Sequence, residues 1–169
     1  MTLRGLHLLP VTMFLGSFAW SFVYVSLPFY IQRLSTFDPA ATLQWTGWVL
    51  GIPALVTVAT APLWGRFAER GDPRRLYVLV EFLQGMAFFG MALARSVPEL
   101  FAARFLLGFM GAASTFAFML IGRLDDPAAV RRQVAAIQSA MTIGQVIGPL
   151  AGAIAAARLG FRTSFVLGA

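Results

Sequence analysis

Five long apolar runs decide what this chain can fold into: Leu8 to Ile31, Gln44 to Trp64, Leu76 to Ala94, Leu100 to Gly122 and Val134 to Ala157. They hold 24, 21, 19, 23 and 24 residues. At roughly 1.5 Å per helical residue each reaches about 28 to 36 Å, against a bilayer hydrocarbon core of about 30 Å. The connections between them are too short to hold a soluble domain. The fold class that follows is all-α, a polytopic transmembrane helix bundle.

Composition removes most other readings. Hydrophobic residues make up 59% of the 169, charged residues 12%, and the mean hydropathy is +0.77, which does not suit a water-soluble domain. There is no cysteine and one histidine, His7, so disulfide scaffolds, thiolate metal sites and histidine clusters are excluded. The formal charge of +6 comes from thirteen arginines set in short clusters between apolar runs. That pattern does not track phosphates, and nucleic acid is not an expected partner. No nucleotide loop, metal spacing or Ser/His/Asp arrangement is visible, so neither enzyme activity nor a cofactor is expected.

The apolar stretch of the first run is too long for the core of a signal peptide, and four more spans follow, so it reads as a retained first helix. A sixth run opens at Thr163 and ends after seven residues, so residues 1–169 are expected to be a helix bundle truncated within helix six. Asp38-Pro39, Asp72-Pro73 and Asp126-Pro127 each place a capping carboxylate before a proline suited to the first helical turn. All three aspartates read as helix starts. On one side of the alternating topology lie Arg4, Arg66, Arg70, Arg74, Arg75, Arg123, Arg131 and Arg132; on the other lie Arg33, Arg95, Arg158 and Arg162. Basic short loops stay inside, which predicts a cytoplasmic N-terminus.

The connection after the second run reads Gly65-Arg66-Phe67-Ala68-Glu69-Arg70-Gly71-Asp72-Pro73-Arg74-Arg75. It resembles the major facilitator superfamily signature G-x-L-A-D-R-x-G-R-K: Gly65, Ala68, Arg70 and Arg74 match, and Phe67 and Glu69 are near matches. Asp72 and Pro73 depart from it. The resemblance implies a gating loop that latches one helix bundle to another, with Glu69 near a helix start and the arginines on carboxylates or carbonyl ends. A basic loop that sets topology and binds anionic lipid is the alternative, and it requires neither Gly65 nor an acid.

Three further stretches carry the same resemblance. Leu100 to Gly108 is similar to L-x-x-x-R-x-x-Q-G with Leu107 departing, Gly144 to Ala153 to the antiporter signature G-x-x-x-G-P-x-x-G-G with Ala153 departing, and Gly160 to Phe165 to G-W-R-x-x-F. Within the second, Arg104 lies about 6 Å into the run by rise. An arginine inside a span faces a polar cavity with a functional role, or snorkels to the headgroups. Within the third, Ala140, Gly144, Gly148, Gly152 and Ala156 draw a groove of small side chains that another helix can approach, and Pro149 bends the helix. That groove is expected to meet a helix from a missing second half and to stand open in this chain.

Glu81 is the one carboxylate within a span and could titrate as a coupling group. It is expected to pair instead with loop arginines or water, since no family motif places a proton site there. Helix one has no acid, which leaves the coupling ion open. Phe14, Trp20, Tyr24, Trp48, Phe116 and Phe118 could line a cavity or face lipid. The family places helices one and four around its central cavity and helix three toward the periphery, which singles out Trp20, Tyr24 and Phe116 for a substrate cavity.

The resemblance implies a transporter of the drug-efflux branch in a bacterial inner (plasma) membrane, working by alternating access. Its expected partners are the lipid bilayer, a small-molecule substrate and a missing C-terminal or partner half. Uptake or metabolite exchange is one alternative, and a non-transporting membrane scaffold or inactive half is another.

Overall fold

The computed structural model describes residues 6–169, so the Arg4 contribution to the arginine asymmetry lies outside the described residues. The described residues form helices and turns, with no strand. After a short 3-10 turn at Leu6–Leu8, the helices are α1 Leu9–Tyr24, α2 Leu27–Leu34, α3 Pro39–Arg70, α4 Pro73–Leu93, α5 Val97–Phe109, α6 Ala113–Ile121, α7 Pro127–Leu159 and α8 Phe161–Leu167. Five stretches are long and apolar enough to cross a membrane: Leu6–Tyr24, Pro39–Arg70, Pro73–Leu93, Val97–Ile121 and Pro127–Leu159. They fall on the five apolar runs.

The three aspartate–proline pairs start helices, as their chemistry dictates. Asp38 accepts from the N–H groups of Ala40 and Ala41, Asp72 from Arg74, and Asp126 from Ala128 and Ala129. The two departures in the loop motif are thereby explained: Asp72 is the cap of α4 and Pro73 its first residue. α3 and α4 are joined only by Gly71 and Asp72.

The first run is not one helix. Val25 and Ser26 interrupt it, because Pro28 has no N–H to offer the Tyr24 carbonyl. The fourth run is also broken, at Met110-Gly111-Ala112, where Met110 (φ −89°, ψ 13°) and Ala112 (φ −92°, ψ 3°) leave the helical region. At the far end of α7, Gly160 takes a φ of 84°, a conformation open to glycine, and turns the chain directly into α8.

α1 lies along α7, α3 along α5, and α4 packs on α5, α6 and α8. Two apolar clusters result. One gathers Trp64, Tyr77, Val80, Phe116, Ile121 and Ile137, and the other gathers Val23, Ile31, Val49, Phe88, Leu100 and Phe165. Large side chains such as Leu55, Phe82, Val146 and Leu150 remain exposed on the long helices, as lipid-facing side chains do.

The small-residue groove on α7 overturns the expectation that it stands open. Gly144, Gly148 and Gly152 are buried, and α1 of the same chain fills the groove. A Cβ added at Gly144 would lie 2.8 Å from the Phe14 carbonyl oxygen and 2.9 Å from the Phe18 nitrogen. At Gly148 it would lie 2.7 Å from the Ser21 Cβ, and at Gly152 2.9 Å from the Phe22 Cα. Ser17 adds a hydrogen bond across the contact, from its hydroxyl to the Met141 carbonyl at 3.1 Å. The four-residue spacing announces close backbone approach; the partner that takes it is helix one, not a second half.

Candidate functional site

A cavity of about 650 Å³ lies among the long helices. α1 contributes Gly16, Trp20 and Tyr24; α3 contributes Pro53 and Thr57; α4 contributes Glu81 and Gln84; α5 contributes Arg104; α7 contributes Gln145 and Pro149. The third membrane span, α4, thus reaches the cavity with two polar side chains, Glu81 and Gln84, against the expectation that it stays peripheral.

Arg104 is 1% exposed, which removes the snorkelling alternative. α5 begins at Val97, so Arg104 lies about 10 Å into the helix by rise, deeper than the start of the apolar run suggested. Its Nε donates to the Val49 carbonyl at 3.1 Å, while Nη1 and Nη2 have no hydrogen-bond partner. The guanidinium carbon lies 5.5 Å from the Trp20 ring centroid and 5.7 Å from that of Tyr24. Aromatic faces stabilise a desolvated cation by about 2 kcal/mol each at best, which does not match the several kcal/mol of taking the charge out of water.

Pro53 explains why the Val49 carbonyl is available. It lacks the N–H that would bond Val49 four residues back, and Arg104 supplies the donor from the neighbouring helix. Gly108, one turn beyond Arg104, makes the approach possible: a Cβ there would meet the Pro53 oxygen at 2.6 Å. The arginine and glycine of the second motif therefore act on the same turn of α3.

The break in the fourth run is held by side chains. Thr57 donates to the Gly108 carbonyl at 2.8 Å, Trp64 Nε1 to Phe109 at 2.7 Å, and Gln84 Nε2 to Met110 at 2.6 Å. The Gly108 carbonyl also accepts from the Gly111 N–H at 3.0 Å, whereas those of Phe109 and Met110 have these side chains as donors at membrane depth, where an unsatisfied carbonyl would cost several kcal/mol. Gln84 also accepts from Trp20 Nε1 at 3.1 Å, which ties this turn to the cavity wall. Sequence reasoning missed Thr57, Trp64 and Gln84. The available signal was a polar group within a span needing a partner in the bundle.

Glu81 does not pair with loop arginines. Among the described residues the one ion pair is Arg75 with Asp72, at 3.8 Å on the surface. Glu81 lines the cavity about 12 Å into α4 by rise, with both carboxylate oxygens 3.8 Å from where a Gly16 Cβ would stand. Glu81 thus stands beside Gly16 of α1 at ordinary contact distance. Phe116 is a second correction. It is fully buried in the apolar cluster, with its ring 5.8 Å from that of Trp64, and does not line the cavity. Trp20 and Tyr24 do line it.

The loop residues named from the first motif lie apart from the cavity. Glu69, Arg70, Arg74 and Arg75 are exposed at the α3–α4 turn, and a Cβ on Gly65 would meet nothing within 4 Å. Pro149 sits on the cavity wall beside the glycine strip. At the other end of the bundle the last motif acts as a cap: Tyr30 donates to the Ala94 carbonyl at 3.1 Å and Arg162 reaches the same oxygen at 3.4 Å.

A buried charge and a broken helix meet at a shared cavity, and comparison of the sequence decides the family. Residues 10–169 match the Major Facilitator Superfamily. The chain belongs to that superfamily. Among relatives, the MFS-type transporter YuxJ of Bacillus subtilis (strain 168) is 26% identical over 83% of this chain and 36% of its own length. The Staphyloferrin B transporter of Staphylococcus aureus is 30% identical over 80% of this chain and 32% of its own. Multidrug resistance protein MdtG of Citrobacter koseri is 30% identical over 91% of this chain and 38% of its own. The chain thus spans about a third of the length of these major facilitator relatives. No solved structure matches it. As a member of the superfamily it is an integral membrane protein whose outer apolar faces meet lipid.

Proposed function

We propose that the chain forms the first of two helix bundles in an efflux transporter, which moves small drug-like molecules across a bacterial inner membrane by ion-coupled alternating access. The observation that carries this reading is the cavity in which a buried cation, Arg104, and the one carboxylate within the apolar runs, Glu81, face the same space. A charge deep in a span is retained where it binds cargo or couples its movement. Relatives named multidrug resistance proteins support efflux as the direction.

In this reading the second bundle rocks against the first around the cavity. The exposed turn bearing Glu69, Arg70, Arg74 and Arg75 latches onto it, and Gly65 gives that partner room. The glycine strip serves by locking α7, with its Pro149 bend, rigidly to α1. The arginine asymmetry supports a cytoplasmic α3–α4 turn and N-terminus.

Inverted membrane vesicles carrying the full-length protein and energised to an acid interior should accumulate a fluorescent drug-like dye. An ionophore that collapses the gradient should release it. Dye movement indifferent to the gradient, or directed only the other way, would overturn ion-coupled efflux.

A further inference from the structure

The Arg104 guanidinium is only partly satisfied. One nitrogen is bonded to the Val49 carbonyl, and the other two are buried without a partner. A guanidinium presents paired N–H donors in a plane that matches the two oxygens of a carboxylate, and a desolvated pair of this kind forms short, charge-assisted hydrogen bonds. Among the described residues nothing takes that place. Of its seven acids, Asp38, Glu69, Asp72, Glu99, Asp125 and Asp126 lie in the connections or in the first or last turn of a helix. Glu81 is directed at Gly16, whereas Arg104 lies against Trp20 and Tyr24, about 6 to 12 Å further along α1 by rise.

The two rings over the guanidinium are held differently. Trp20 is pinned by its hydrogen bond to Gln84 and by an edge contact with Phe88 at 6.1 Å. Tyr24 is the last residue of α1, immediately before the irregular Val25–Ser26 turn, and is 45% exposed. One wall is fixed, and the other can swing away without disturbing the core.

We infer that Arg104 is the carboxylate subsite of the cavity, and that its ligand is a small organic anion whose apolar or aromatic body lies against Trp20 after displacing Tyr24 from the guanidinium. This rests on the transporter reading above and names a substrate class within it. A carboxylate from another stretch of the full-length protein has the same chemistry, and the test separates the two.

Purified full-length protein is titrated calorimetrically with 2-naphthoate and with 2-naphthamide, which share a ring system and differ in the carboxylate. Naphthoate should bind at least tenfold more tightly. Arg104→Gln should erase that preference, and Arg104→Lys, which keeps the charge but loses the planar fork, should retain part of it. Monodispersity by gel filtration checks the fold of each variant, and Arg104→Lys serves should the glutamine variant not fold. Equal binding of acid and amide by the wild type, a preference that survives Arg104→Gln, or a preference undiminished in Arg104→Lys overturns the inference. So does a wild type that binds neither ligand while Arg104→Gln lowers the melting temperature, the pattern of an internal carboxylate. Gradient-driven dye flux without naphthoate preference sinks this inference and leaves efflux standing. Naphthoate preference without gradient-driven flux does the reverse.

Discussion

Arg104 donates to the one carbonyl that Pro53 leaves without its helical N–H, that of Val49, so a defect in α3 and a buried cation in α5 complete each other. Gly108 sets the spacing by letting the Pro53 backbone approach. Gly108→Ala should therefore push the two helices apart, lowering stability by about 1–3 kcal/mol. Gly47→Ala, also in a helix but with open space around it, should be neutral or gain about 0.5–1 kcal/mol. Thermal unfolding of the full-length protein in detergent checks both. Equal midpoints for Gly108→Ala and wild type would show that the approach is not tight.

Gln84 bridges the broken helix and the cavity wall, so its loss leaves the Met110 carbonyl and the Trp20 N–H unpaired together. Gln84→Leu is expected to destabilise by about 1–3 kcal/mol for each group left buried and unbonded. Val78→Ala, on the exposed side of the same helix, should shift stability by less than about 0.5 kcal/mol. Indistinguishable unfolding curves for the two variants would mean that water or lipid headgroups replace the glutamine.

Much of this was legible in the sequence, and what was not shares a physical character. Span positions follow from apolar length and helix starts from aspartate–proline chemistry, both of which are local. Arg104 was legible as an in-span charge because its insertion penalty demands a reason. The partner of the α7 glycine strip was not, since small residues declare that a helix comes near without declaring which. Nor was the break at Met110-Gly111-Ala112, because it is stabilised by Thr57, Trp64 and Gln84 from two other helices. Phe116 misled for a related reason: an aromatic ring carries no directional group that separates a cavity wall from an apolar core.

Asp38 and Asp125 are both exposed and precede helices α3 and α7, which the arginine asymmetry starts on opposite sides of the membrane. The chain has no cysteine, so single substitutions report cleanly. In intact cells, an impermeant thiol reagent should label Asp38→Cys and spare Asp125→Cys until the membrane is opened. Labelling of Asp125→Cys from outside would invert the topology and place the α3–α4 turn on the outer face.

The contact between α1 and α7 should be the least forgiving in the bundle. At Gly148 an added carbon would lie 2.7 Å from the Ser21 Cβ and 2.9 Å from the Phe18 oxygen, and neither backbone can yield without moving a whole helix. Phe14, Phe18 and Phe22 line up along the same side of α1, with rings 5.9 Å and 5.4 Å apart, so displacing the helix also strips this aromatic row from its place. Lipid offers no hydrophobic drive to restore the pair, because association within a bilayer rests on close van der Waals fit. Gly148→Leu should therefore separate α1 from α7 and cost at least about 3 kcal/mol, at or beyond the upper end of ordinary overpacking. Leu150→Val, on the exposed face two residues on, removes one methylene from no contact and should change little. Because Trp20 and Tyr24 sit on α1, the leucine variant should also lose ligand binding in the cavity, whereas the valine variant should keep it. A Gly148→Leu protein that melts and binds like wild type would show that the two helices are not in backbone contact at that turn.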